Sequence, residues 1–209
     1  MTTKMVLATA NPHKVTEIEE ILQATLDFPI ELVSRPEEIP EVEETGATLE
    51  ENARLKAVAI CEATAQISVA DDTGLFVKAL AGAPGVYSAR YAGEHASYED
   101  NVAKLLQALR GENNRRATFV TVALAVYPDG REFHATGEVT GTIALTPRGN
   151  DGFGYDPIFL PDESSGKSFA ELSAVEKHSI SHRGRAFRIL GKMLTDDLAA
   201  HGSPTEVDE

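Results

Sequence analysis

Residues 117–145 read ATFVTVALAVYPDGREFHATGEVTGTIAL. Ala117–Tyr127 is apolar on both faces, the pattern of a strand covered on each side. Pro128-Asp129-Gly130 is a hairpin turn signal. The return stretch alternates, with Phe133, Ala135, Gly137, Val139, Gly141, Ile143 and Leu145 on one face. Two strands joined by so short a turn run antiparallel, so an all-parallel sheet is excluded. With the strand and helix patterns on either side, the expected fold class is α/β, a mixed sheet flanked by helices.

Toward the N-terminus, Met5–Ala8 reads as a buried strand. A helix from about Lys14 follows, with Val15, Ile18, Ile21, Leu22 and Leu26 on one face. Glu31–Ser34 is a weak strand. Residues 37–51 hold seven glutamates and no Lys or Arg. Thr48 and Glu51 form a capping box ahead of a helix that buries Ala53, Ala57, Ile60 and Cys61. Ser68–Ala70 reads as a strand ending at Asp71 and Asp72, Leu75–Leu80 as a further strand, and Ala81–Gly85 as a turn. Ser97 caps a helix carrying Val102, Leu105, Leu106 and Leu109, which stops at Gly111. Beyond the hairpin lie a glycine-rich loop, Arg148–Pro157, and a last helix capped by Ser181. That helix carries Ile189, Leu190, Met193 and Leu194. The polar, acidic tail from about Ala200 is expected to be frayed. No repeat or linker divides the chain, so residues 1–209 are expected to form one domain.

The formal net charge is −14. Such a surface repels nucleic-acid phosphates and argues against a general nucleic-acid binder. It also makes any basic cluster informative. The single cysteine, Cys61, forms neither an internal disulfide nor by itself a cysteine-rich zinc site. No stretch approaches the roughly 18 apolar residues of a spanning helix, and the opening MTTK, with no basic region ahead of a long apolar run, is not expected to be a signal peptide. The expected location is cytoplasmic, with no membrane partner.

Four segments carry chemistry, each where a strand or turn meets a helix, the usual ligand position in α/β proteins. The first is ATANPHK, Ala8–Lys14. Thr9 and Asn11 offer side-chain hydrogen bonds, the helix start offers N–H groups to an anion, and Lys14 adds a cation. The segment reads equally as a helix entry capped by Asn11. The second is VADDTGLF, Val69–Phe76. Hard divalent cations take carboxylates of this kind together with substrate phosphates. Strand neighbours point to opposite faces, so Asp71 and Asp72 share one ion only if the strand has ended, and Asp72-Thr73-Gly74 reads as such a turn. An exposed acidic turn is the alternative. The third is RGNDGFGYDPIF, Arg148–Phe159, where Phe153 and Tyr155 offer ring faces to a base. The fourth is EKHSISHRGRAFR, Glu176–Arg188, with Lys177, Arg183, Arg185, Arg188 and two histidines against one acid. Arg183 and Arg185 fall in a first helical turn, where cations oppose the macrodipole unless an anion is near. The candidates are a phosphate or the Glu37–Glu51 run.

Together ATANPHK, TGATLEENARLKA, ADDTGL, GAPGVYSARYAG, GFGYDPIF, FAEL and EKHSISHRGRA resemble, in order and spacing, the noncanonical purine nucleoside triphosphate pyrophosphatases, also called inosine triphosphate pyrophosphatases. The likeness runs from about Met5 to Leu194. It implies an elongated α/β fold with two lobes flanking an active-site cleft, a homodimer and dependence on Mg²⁺. It implies hydrolysis of inosine and xanthosine triphosphates and their deoxy forms to monophosphate and pyrophosphate. By position, Asp72 matches the catalytic acid that holds metal and activates water, and Glu41 a second metal ligand. Thr9, Ala10, Asn11, Pro12, His13 and Lys14 match the phosphate-contacting loop. Thr73, Phe153, Gly154, Tyr155, Asp156, Lys177, His182 and Arg183 match substrate contacts. Ala10 stands where glycine is usual, Pro12 stiffens that loop, Thr73 stands for serine and His178 for asparagine, which bears on fine specificity. Lys14 and Lys177 are expected at phosphate, and His182 and Arg183 as donors to a 6-oxo purine stacked on Phe153. A house-cleaning pyrophosphatase for other modified nucleotides and a nucleotide-binding module without turnover are the rival readings. A substrate panel and pyrophosphate release separate them.

Overall fold

The computed structural model describes residues 2–201. β1 (Thr3–Leu7) leads into α1 (Pro12–Thr25), whose entry is fixed by Asn11. The Asn11 side chain accepts from the N–H groups of His13 and Lys14, and Pro12 occupies the first turn, where no donor is needed. Ile18, Ile21 and Leu22 give α1 its buried stripe. β2 (Ile30–Ser34) and the acid-rich segment follow. α2 (Leu49–Thr64) starts at the expected capping box, Thr48 with Glu51, and buries Ala53, Ala57, Ile60 and Cys61 as the spacing required. Asn52 is buried with them.

β3 (Ile67–Val77) differs from expectation. It passes straight through Asp71, Asp72, Thr73 and Gly74, where the sequence suggested a turn, and a helical turn, Lys78–Leu80, replaces the end of the second expected strand. Gly74 serves close packing here. A Cβ on it would lie 2.7 Å from the Gly85 carbonyl oxygen of β4 (Pro84–Gly85), which pairs antiparallel with β3. α3 (Tyr98–Ala108) begins at Ser97, whose capping partner is Asp100.

β5 (Arg116–Val126) and β6 (Glu132–Ile143) are neighbours joined by the expected turn, closed by the N–H groups of Tyr127 and Gly130. β6 buries Ala135, Gly137, Val139, Gly141 and Ile143 in alternation. Leu145 falls beyond the strand and is 78% exposed, so it does not continue that face. β7 (Phe159–Pro161) pairs antiparallel with β6. α4 (Ala174–Ile180) was not foreseen, although Ser173 and Glu176 spell a capping box. Ser181 ends α4, and α5 (His182–His201) begins at the next residue. On α5, Leu190 and Leu194 are buried, but Ile189 and Met193 are 45% and 37% exposed, so the apolar stripe is narrower than its composition suggested. Ala200 and His201 belong to α5; the rest of the expected tail lies outside the described residues.

The strands form one mixed sheet in the order β2-β1-β3-β5-β6-β7, with β4 beside β3. β1 is parallel to both β2 and β3. The chain divides into two compact units. The first takes residues up to Asp72, Val122–Thr136 and the chain from Arg183 onward; the second takes Thr73–Thr121 and Gly137–His182. Each has its own core. Met5, Leu7, Ile18, Leu22, Phe187 and Leu190 fill the first, and Leu75, Leu105, Phe119, Ile158, Phe159 and Phe169 the second. Burying one such side chain contributes roughly 1.5–3 kcal/mol, so both units draw on an ordinary hydrophobic interior. Among the described residues no helix is long and apolar enough to cross a membrane.

Candidate active site

The candidate residues fall into two groups, one in each unit. In the first, β3 presents its two acids to opposite faces, as an uninterrupted strand must. Asp71 is buried and faces cations: Lys14 Nζ at 3.1 Å and Arg183 Nη2 at 3.0 Å. Arg183 also holds Glu17 at 2.6 Å. Burial alone would raise the Asp71 pKa, but Lys14, Arg183 and Lys56 together hold it well below the usual carboxylate range. The cation at the start of α5 thus has protein acids beside it. They are Asp71 and Glu17, one turn of α1 beyond Lys14, and not the Glu37–Glu51 run. That removes the need for a phosphate to explain Arg183.

Asp72 has another neighbourhood. Asn52 Nδ2 donates to its Oδ2 and Lys56 Nζ to its Oδ1, each at 3.3 Å. Lys56 also holds Glu44 at 2.7 Å. Burial pushes the Asp72 pKa up; Lys56 and Lys14 oppose this, and Glu44 and Asp71 add to it. Asp72 is therefore the acid of the pair with the greater affinity for a proton. Lys56 resists its own burial because Asp72 and Glu44 keep it charged. Neither Lys56 nor Asn52 was picked out from sequence, although both lie in TGATLEENARLKA, four residues apart and hence on one helix face.

Fit to a divalent cation can be judged from this donor set. Glu44 and Asp72 meet at one ammonium, so their oxygens already lie within reach of a single positive centre. No cluster of three or more potential metal-ligating side chains occurs among the described residues. That is compatible with Mg²⁺, which takes one or two carboxylates and completes its shell from water and phosphate. Glu41, the expected second ligand, is exposed; Glu44 of the same segment is the acid that meets Asp72 at Lys56.

At the start of α1 the geometry is the cap: Asn11 Oδ1 takes the His13 and Lys14 N–H groups at 3.0 and 3.4 Å, and Thr9 Oγ1 takes that of Asn11 at 3.2 Å. Ala10, Pro12 and His13 are exposed there, and Lys14 turns inward to Asp71.

The second group is built from rings and one buried ion pair. Asp156 Oδ2 accepts from the Phe153 N–H at 2.9 Å and from Lys177 Nζ at 2.7 Å. Lys177 lies 5.0 Å from the centre of the Phe153 ring. Phe153 is half-buried, with Tyr98 at 5.9 Å, and Gly154 beside it has φ 62°. Tyr155 was expected to offer a ring to a base. It is instead buried, its hydroxyl donating to the Ser88 carbonyl at 2.9 Å, which satisfies the polar end and sends the ring into the core. His182 is buried and stacked on Phe119 at 4.5 Å, with Nδ1 2.7 Å from Thr121 Oγ1. Thr121 Oγ1 is also 2.7 Å from Thr73 Oγ1. Phe119 and Thr121 alternate along β5, so one strand face grips the imidazole twice. Sequence reading passed over Thr121 as part of an apolar run. His178 and His182, four apart in sequence, lie on different helices because the chain breaks at Ser181, so they do not form a helical metal-binding pair.

Relatives of known name share this chain's length and fold. A dITP/XTP pyrophosphatase from Deinococcus deserti is 48% identical over 195 residues, spanning 93% of this chain and 91% of that protein. The solved structure of the Staphylococcus aureus Ham1 protein superposes with a TM-score of 0.81 at 42% identity, covering 93% of this chain and 100% of that one. A HAM1 protein from Coxiella burnetii gives 0.83 at 39% identity, covering 93% and 99%. The Ham1 family model itself matches residues 5–193, and the chain belongs to the Ham1 family.

Proposed function

We propose that this protein hydrolyses noncanonical purine nucleoside triphosphates, those of inosine and xanthosine and their deoxy forms, to monophosphate and pyrophosphate. The observation that carries this is Asp72, in a chain whose relatives include dITP/XTP pyrophosphatases. It is a buried carboxylate with raised proton affinity that shares the Lys56 ammonium with a second acid, Glu44. In this reading Asp72 takes the proton of a water as its oxygen bonds to the α-phosphorus. The bond from that phosphorus to the bridging oxygen breaks, and the pair of electrons leaves with pyrophosphate. Asp72 and Glu44 would hold Mg²⁺, whose charge offsets that of the phosphate oxygens. Lys56 supplies further positive charge at the same carboxylates, and Lys14 acts on Asp72 from beside Asp71.

The second group would hold the nucleoside. Phe153 is the ring on which a base stacks, kept in place by Asp156 and Lys177. His182 is a donor to O6, which hypoxanthine presents and adenine replaces with an amine. A homodimer is part of the proposal, with Tyr87, 57% exposed, flanked by Val86 and Tyr91, as a candidate contact. Pyrophosphate release from dITP, XTP, dATP and dGTP in the presence of Mg²⁺ tests the function. dATP turning over within about threefold of dITP would reject the proposed donor to O6, because one misplaced polar group costs more than that; dGTP carries the same O6 and reports separately on whether a 2-amino group is refused. Sedimentation as a 22.5 kDa species at micromolar concentration would reject the dimer.

A further inference from the structure

α2 turns Asn52 and Lys56 toward one carboxylate, a donor to each oxygen of Asp72. The two contacts differ in how firmly they are held. Lys56 is a flexible chain shared with Glu44. Asn52 is fully buried, and its far end is engaged as well: Oδ1 accepts the N–H of Gly46 at 2.8 Å. A backbone N–H only donates, so the amide has one orientation, with Oδ1 on Gly46 and Nδ2 on Asp72. The rotation of the Asp72 carboxylate is thereby set by a side chain with no freedom of its own.

The other side of this joint is equally constrained. A Cβ on Gly46 would lie 2.6 Å from Glu51 Cβ, 2.7 Å from Asn52 Oδ1 and 3.0 Å from the Asn52 nitrogen. Only glycine lets the segment approach this closely. Two residues before Gly46 stands Glu44, the acid that meets Asp72 at Lys56. Asn52 therefore links the strand that carries one acid to the segment that carries the other.

We propose that Asn52 is a positioning residue that acts through Gly46 on one side and Asp72 on the other, so that Asp72 and Glu44 are presented together to a divalent cation. The meaning given to Asp72 rests on the proposed function; the joint itself rests on geometry. The competing explanation is that Asn52 only satisfies a buried loop. Asn52→Ala, Gly46→Ala and the double variant separate the two. Each single variant is expected to lower kcat on dITP by ~10–100-fold, with KM moving less, as for groups that orient metal-binding carboxylates. Calorimetric Mg²⁺ binding to the substrate-free protein is expected to weaken by a similar factor. The double variant should be no worse than the poorer single one, because both changes break one joint. A folded Asn52→Ala protein that melts earlier but keeps wild-type kcat and Mg²⁺ affinity would overturn the proposal, as would single effects that simply multiply. Should Asn52→Ala not fold, Gly46→Ala decides alone, since wild-type kcat and Mg²⁺ binding in that variant would also overturn it. If the unaltered protein failed to hydrolyse dITP, the proposed function would fall, while the Mg²⁺ comparison would still test the joint.

Discussion

The group around Asp71 and Asp72 is made of charge, and the group around Phe153 and His182 is made of rings. In the first, three cations and two acids from α1, α2, α5 and the acid-rich segment surround two strand residues. Buried charge is tolerated there only because every member has a partner. In the second, a buried pair, Lys177 with Asp156, supports a ring and a loop. A charged group suits phosphate and metal, whose fields are strong and long-ranged. A ring group suits a base, which is read by shape and by a few hydrogen bonds. The same contrast recurs within two residues of β3. Asp71 has an acidity fixed by cations; Asp72 is pushed toward protonation and is the acid to which the proposed chemistry falls.

Asp72→Asn is the largest break in this contrast. The shape is kept, while the charge and the proton acceptor are lost, so kcat is expected to fall by ~10²–10⁴-fold. Stability should hold or rise. The Asp72 carboxylate is disfavoured by burial, and Lys56 retains Glu44 when Asp72 is neutral. Retention of more than about a tenth of wild-type turnover at saturating Mg²⁺ would take the catalytic role from Asp72.

Asp71→Asn should do the reverse, costing about 3–5 kcal/mol of stability by leaving Arg183 and Lys14 with less counter-charge in a buried place. Denaturant unfolding measures it. The pH dependence has a definite sign. The folded pKa of Asp71 lies below its unfolded value, so its contribution is complete above the ordinary carboxylate value, near ~3.9, and is lost as pH falls through the folded value. Asp71→Asn should flatten that acid limb. An unchanged limb, with unchanged stability at neutral pH, would mean that Asp71 is not the structural member of the pair.

Phe153→Ala sharpens the ring side. Loss of a stacking face is expected to weaken binding by ~1–3 kcal/mol. The factor should be similar for dITP, XTP and dATP, because a ring face does not read base edges. KM values for the three substrates test this; a factor confined to one base would make Phe153 an edge-reading residue.

Local rules made much of the fold legible. The Thr48–Glu51 box, the Pro128–Gly130 turn and the alternation of β6 are short-range signals, and each stands where its residues put it. The misreadings came from long-range causes. Gly74 read as a turn residue, but its reason is the approach of Gly85 eleven residues on. Arg183 read as needing a phosphate or the Glu37–Glu51 run, because its partners in the fold, Asp71 and Glu17, are 112 and 166 residues away. Tyr155 read as a stacking ring because nothing local announces the Ser88 carbonyl. Asn52 was overlooked because it stands among the charged, exposed residues of LEENARLK, and Thr121 because it is one hydroxyl in a buried apolar run. The meaning of each appears only once Asp72, or His182, is known to lie beside it.

Thr121→Val makes the finest cut. One hydroxyl lies 2.7 Å from both Thr73 Oγ1 and His182 Nδ1, and it carries one proton. If Thr121 donates to Nδ1, the neutral imidazole carries its proton on Nε2 and Thr73 donates to Thr121. If Nδ1 carries the proton, it donates to Thr121, and Thr121 donates to Thr73. The three groups are locked into one direction or the other, so Thr121 couples the hydroxyl beside Asp72 in sequence to the tautomer of the ring proposed to read O6. Valine keeps the shape and suits a strand, but it removes both contacts at once. With Phe119 still stacked on the ring, His182 should stay in place while it loses the Thr121 contact. The preference for dITP over dATP is then expected to fall about fivefold, the equivalent of one neutral hydrogen bond near ~1 kcal/mol. Thr121→Ser keeps the hydroxyl and should keep the preference. The ratio of kcat/KM for the two substrates in both variants is the measurement. A valine variant with the wild-type ratio would separate base reading from the hydroxyl chain.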